Sequence, residues 1–197
     1  MPSSTRSMLQ LKITLEDIRP PIWRRVLVES TMKLDELHLV IQAIMPWQNY
    51  HLHSFESSEA SYMPLMPDDD LFDFGTPSKD ETKFKVNQVL THEKSWIRYI
   101  YDMGDGWQHK ILLEKILAPD PKLKYPICTK GKRACPPEDC GRAWGYMDLL
   151  EILSDPSHPD YAEMMEYHEQ GLDAEAFDLA EINESVSNYK LGELDFS

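Results

Sequence analysis

A chain of 197 residues with 42% hydrophobic side chains suits one domain with a sizeable core, and its five Trp, nine Tyr and six Phe argue against disorder. Of 34 acidic and 20 basic residues, 16 and 2 fall in 135–197, leaving 18 of each before it, so the whole formal charge of −14 sits on the last third. The lack of a basic stripe makes nucleic acid an unlikely partner, and the lack of any apolar run of about 18 residues excludes a membrane helix.

Residues 1–7 read as a tail, 8–190 as one domain and 191–197 as a second tail. Leu9 to Leu15 alternates apolar and polar residues, the signature of a half-buried strand. Pro20-Pro21 marks a turn, and Ile22 to Val28 forms a second strand. Leu34, Leu37, Ile41 and Ile44 recur at helical spacing, which predicts a helix over 34–45 stopped by Pro46. Alternation resumes at 51–55, where His51 and His53 are expected to share a face, as metal-binding histidines can.

Residues 56–82 read as a long loop with a short strand at 71–74, a candidate lid. Trp47, Tyr50, Tyr62, Met63, Leu65, Met66 and Phe72 gather around it, a composition that suits an adaptable binding surface. Strands at 96–103 and 107–117 flank Gly104-Asp105-Gly106. An Asp-Gly turn there would place Asp102 opposite His109 and turn Trp107, His109, Ile111 and Leu113 inward.

Residues 119–137 read as loop, 144–153 and 159–170 as helices, and Asp178 as the cap of a last helix reaching about Tyr189. Strands dominate the first 117 residues. The expected class is α+β: a mostly antiparallel sheet packed with helices, followed by a helical C-terminal third.

Two clusters carry candidate chemistry. Cys128, Cys135 and Cys140 lie in one Pro-stiffened stretch, where three thiols can hold zinc or pack as small apolar groups. Asp102 beside His109, with Glu138-Asp139 supplying further carboxylates, gives the acid–base set of a metal-dependent hydrolase. No G-x-S-x-G, H-E-x-x-H or phosphate-loop motif supports an enzyme, and no H-x-x-R constellation supports a recombinase. The odd number of cysteines, with no apolar export signal in Met1–Gln10, points to the cytoplasm.

Several segments taken together resemble one family. They are Pro20-Pro-Ile-Trp-Arg-Arg25, Leu34-Asp-Glu-Leu-His38, His51-Leu-His-Ser-Phe55, Tyr101 to His109, Cys135-Pro-Pro-Glu-Asp-Cys-Gly141, Gly145-Tyr146, Asp155 to Pro159 and Phe177-Asp-Leu179 with Ile182-Asn183. The chain is similar over roughly 9–190 to the Ri-plasmid ORF-three-like proteins, often labelled transposon-passenger resolvase proteins. That resemblance implies an α+β domain sometimes found near mobile elements, and no established activity. Met103, Gly106, Ser54 and Arg142 depart from the family pattern. The expected function is a cytosolic module that binds a protein or small ligand. A metal-dependent hydrolase is the alternative, and a DNA-recombination accessory protein the second.

Overall fold

The computed structural model describes residues 7–64, 78–167 and 172–189. Among them the chain is mixed α/β, with one eight-stranded sheet and five helices. The strands are β1 (Met8–Leu15), β2 (Trp23–Glu29), β3 (His53–Glu56), β4 (Ser61–Met63), β5 (Ser78–Asp80), β6 (Trp96–Tyr101), β7 (Trp107–Leu117) and β8 (Ile127–Lys132). They lie in the order β5-β4-β3-β6-β7-β1-β2-β8. Every pairing is antiparallel except β4 with β5.

Alternation does on β1 and β7 what the sequence predicts. Leu9, Leu11, Ile13 and Leu15 on β1 face the core, as do Trp107, His109, Ile111 and Leu113 on β7. Helix α1 (Leu34–Ile44) buries Leu34, Leu37, Val40, Ile41 and Ile44 in the same core. The opposite sheet face is polar, as an antiparallel sheet covered on one side allows. There Arg25 forks onto Glu114 at 2.6 and 2.9 Å, and Lys12 and Lys110 lie over the rings of Trp23 and Trp96.

Three parts differ from the sequence expectations. The stretch 119–137 contains β8, which pairs with β2 at the sheet edge. The 56–82 stretch contributes β4 and β5, while the expected strand at 71–74 and Leu65, Met66 and Phe72 lie outside the described residues. Short strands of this kind carry too few side chains to show a period. A four-residue helix, α2 (Val86–Val89), was also not expected.

The last third holds three helices: α3 (Arg142–Ser154), α4 (Tyr161–Tyr167) and α5 (Leu179–Asn188). Asp178 caps α5, accepting from the amides of Ala180 and Glu181 at 2.7 and 3.1 Å. Among the described residues no helix is long and apolar enough to cross a membrane.

Candidate functional site

The β6–β7 connection sets the site. Tyr101 pairs with Trp107 and Tyr99 with His109, so the loop spans Asp102–Gly106 and Asp102 is not opposite His109. The expected two-residue turn needs positive φ at both Asp105 and Gly106. Here positive φ falls on Gly106 and on Asp102 (φ 59°), so the chain already turns at Asp102. Oδ1 of Asp102 accepts from the Gly104 amide at 2.8 Å, which closes the turn and leaves Oδ2 toward His51.

His109 sits elsewhere. It is fully buried, edge-on to Trp47 and tilted against Tyr99, and its Nδ1 donates to the Trp107 carbonyl at 3.1 Å. Burial pushes its pKa down to about 4, so it is a neutral core imidazole. The acid–base pair expected of Asp102 and His109 is therefore not formed.

Asp102 meets His51 instead. Nε2 of His51 lies 3.7 Å from Asp102 Oδ2 and 3.2 Å from Asp139 Oδ1. The three residues come from three segments, and their ligand atoms all lie within 4.8 Å of one another. Neighbouring bonds clamp the segments together. Glu138 accepts from the Tyr101 hydroxyl and from the Gln48 amide, the latter at 2.8 Å. Trp47 Nε1 donates to the Pro136 carbonyl at 2.9 Å, and the Gly141 amide to Asp105 at 3.1 Å. Arg142 donates to the Gly104 carbonyl at 2.6 and 3.1 Å. Of the four expected acid–base residues, Asp102 and Asp139 lie together with His51, Glu138 is held next door by Tyr101 and Gln48, and His109 is elsewhere.

His51 and His53 do not share a face, because β3 begins only at His53. His53 turns into the core, where its Nε2 lies 2.9 and 3.1 Å from the two oxygens of Glu81. A charged pair could be drawn at this separation. Burial drives both groups neutral instead, the carboxyl up to about 8 and the imidazole down to about 4. Glu81 therefore donates its proton to His53. The sequence carried no signal for Glu81, which falls in the stretch read as loop. His38, one helical turn after Leu34, is buried and stacks on His53.

The cysteines do not form the expected zinc site. Their three sulfurs are not all within 4.8 Å of one another. Cys128 lies on β8, with its Sγ directed to the Lys130 carbonyl. Cys135 packs against Met45 Sδ and Arg24 Nη2. Burial raises all three thiol pKa values, Cys135 to about 11 and Cys140 to about 12, so they stay protonated and apolar. The spacing brought them into one stretch of chain, and the strand and turns then turned them apart.

Beside the His51 cluster opens a cleft of about 740 Å³, lined by Trp47, Tyr50, Glu138, Asp139, Phe177 and Glu181 among others. Arg24 forms part of its wall but is only 2% exposed. Its donors go to the carbonyls of Ile44, Trp23 and Lys132 and to Cys135, and its guanidinium lies over the Phe177 ring at 4.8 Å. Of the aromatic cluster expected around the long loop, Trp47 and Tyr62 are buried core residues and Tyr50 is exposed.

Comparisons with known proteins agree with this fold. The uncharacterized protein y4hQ of Sinorhizobium fredii (strain NBRC 101917 / NGR234) is 34% identical over 183 residues, covering 92% of each chain. The crystal structure of a protein of unknown function, MM3350 from Methanosarcina mazei Go1, superposes with a TM-score of 0.80 at 36% identity, covering 90% of this chain and 98% of that one. The family described as plasmid pRiA4b ORF-3-like protein matches residues 7–181, a span that includes every strand, the His51 cluster and most of the cleft wall, and the chain belongs to that family.

Proposed function

We propose that the chain is a binding module whose cleft takes a cationic ligand with apolar surface, such as a Lys- or Arg-containing peptide segment. One observation carries this reading: the composition of the cleft wall. Glu138, Asp139, Asp178 and Glu181 line it together with the rings of Tyr50 and Phe177. The guanidinium of Arg24 has its donors committed to protein acceptors and offers little to an anion. Carboxylates beside aromatic faces favour an ammonium or guanidinium through both charge and cation–π attraction. The family's plasmid namesake supports a role linked to mobile elements.

Titration of the isotope-labelled chain with basic and acidic peptides of matched apolar content tests the reading. Basic peptides should shift the resonances of the cleft, with affinity falling as salt is added. Tyr50→Ala and Glu181→Lys should each weaken binding about tenfold, by loss of ring contact and by like charge. Equal binding of acidic peptides, or none of either kind, would overturn it.

A second reading is a metal-dependent hydrolase, favoured by the meeting of Asp102 and Asp139 with His51 at the cleft edge, where Glu138 also lines the wall. Hydrolysis of activated esters or phosphate esters that appears only with added divalent metal would select it over the first.

A further inference from the structure

We propose that His51, Asp102 and Asp139 form a binding site for one first-row divalent cation of the Mn²⁺ or Zn²⁺ class. Two carboxylates and one imidazole are a donor set shared by these ions, harder than a thiolate site and softer than an all-oxygen one.

Geometry supports the assignment. Nε2 of His51 is 3.2 Å from Asp139 Oδ1 and 3.7 Å from Asp102 Oδ2. Ligand atoms bound about 2.1 Å from a shared ion sit about 3.0–3.4 Å apart. The two His51 separations are close to that range, and the two carboxylates, within 4.8 Å of each other, would draw in around the ion. The cluster is also assembled in advance. Asp102 is fixed through Oδ1 by the Gly104 amide, which leaves Oδ2 for the ion, the kind of outer support that orients metal ligands. The bonds from Gly141 to Asp105 and from Arg142 to Gly104 hold the two acidic loops against each other.

A separate observation points to a missing positive partner. His51 Nε2 is buried yet makes no hydrogen bond, although it stands between two carboxylates. Among the described residues, no Lys or Arg nitrogen is within ion-pair distance of Asp102 or Asp139. Arg142, the nearest basic residue in sequence to Asp139, gives two of its nitrogens to a backbone carbonyl instead. Two like charges held this close are costly, and a divalent ion relieves both while using the orphan nitrogen. Three protein ligands would leave the remaining coordination positions to water or to a ligand oxygen. Asp139 belongs to both cluster and cleft wall, so those positions border the cleft.

The site stands apart from the cationic-ligand reading, because its test uses the metal alone. Chelator-treated, full-length protein is titrated with MnCl₂ while the electron paramagnetic resonance signal of free Mn²⁺ is followed, and in parallel with ZnCl₂ by calorimetry. One ion per chain is expected. His51→Ala and Asp139→Asn should each weaken binding at least tenfold. The Asp139 side chain is 66% exposed, so its variant keeps the fold, which circular dichroism checks. Cys135→Ser and Cys140→Ser should leave Mn²⁺ binding unchanged. The proposal is overturned by wild-type protein that takes up neither ion, by uptake unaffected in both His51→Ala and Asp139→Asn, or by Zn²⁺ uptake that follows the cysteines.

Discussion

The rings of His38 and His53 stack face to face, with centroids 3.5 Å apart and planes 2° from parallel. Two imidazolium ions could not be held this way in the core. Both rings are neutral, His38 down to about 3 and His53 to about 4: burial is the leading cause in each, and the neighbouring His53 lowers His38 further. The bonds around His38 fix its tautomer. Nε2 faces Asn49 Oδ1 at 2.8 Å and so carries the proton, and Nδ1 accepts from the Tyr99 hydroxyl at 2.8 Å. That hydroxyl in turn accepts from Gln42 at 3.0 Å. Each member therefore has both a donor and an acceptor in place, which a buried polar network requires.

Stability should peak near neutral pH. The depressed pKa values of His38, His53 and His109 mean that the unfolded chain binds protons first on acidification. Their contribution is complete above about 6.5 and is lost as pH falls toward 3–4. Glu81, raised to about 8, works in the opposite sense: its contribution is complete below about 4.5 and is lost as pH rises through 8. Each unit of displacement is about 1.4 kcal/mol per group, so three histidines outweigh one carboxyl and the acid limb is the steeper. Urea unfolding from pH 4 to 9 measures both limbs. Glu81→Gln should flatten the alkaline limb and steepen the acid one, because Glu81 opposes the histidines between about 4.5 and 6.5, and an alkaline limb of unchanged slope in that variant would refute the assignment.

Gly145→Ala should destabilise the fold by about 1–3 kcal/mol, the usual cost of overpacking. A Cβ at this position would overlap the Cys140 carbonyl oxygen, which is backbone and cannot swing away. Gly106→Ala meets nothing within 4 Å and costs only its left-handed backbone at φ 62°, about 1 kcal/mol. Equal unfolding midpoints for the two variants would contradict this ordering.

Arg24→Lys should cost about 2–4 kcal/mol despite keeping the charge. The guanidinium bonds three carbonyls at 2.9–3.1 Å, and an ammonium cannot span them from the same stem. The Ile44 carbonyl at the end of α1 would be left without this cation. Chemical denaturation is the readout, and a change below about 1 kcal/mol would mean that water replaces the lost donors.

Duplex DNA should not bind at micromolar protein and physiological salt. Affinity for a duplex comes from several Lys or Arg contacts to phosphate. Of the small basic clusters Arg24-Arg25 and Lys130-Gly-Lys132-Arg133, Arg24 and Arg133 are buried, Arg133 bonded to Glu175 at 2.7 Å and to the Pro20 carbonyl. Arg25 is held by Glu114. A labelled duplex that shifts, and is released by salt, would reverse this expectation.

The sequence by itself determined the elements whose own side chains report burial. Alternation placed β1 and the inward face of β7, helical spacing placed α1, and the Asp178-Leu-Ala-Glu181 cap pattern placed the start of α5. Each of these is a local property, because a repeat along one element records which side of it is dry. The tertiary structure alone decided which groups meet. A three-residue difference in how β6 and β7 pair moved Asp102 out of reach of His109, and the late start of β3 sent His51 and His53 to different places. His51, Asp102 and Asp139 are far apart in the chain and meet through loop closure, and loop closure leaves no period in the sequence to read.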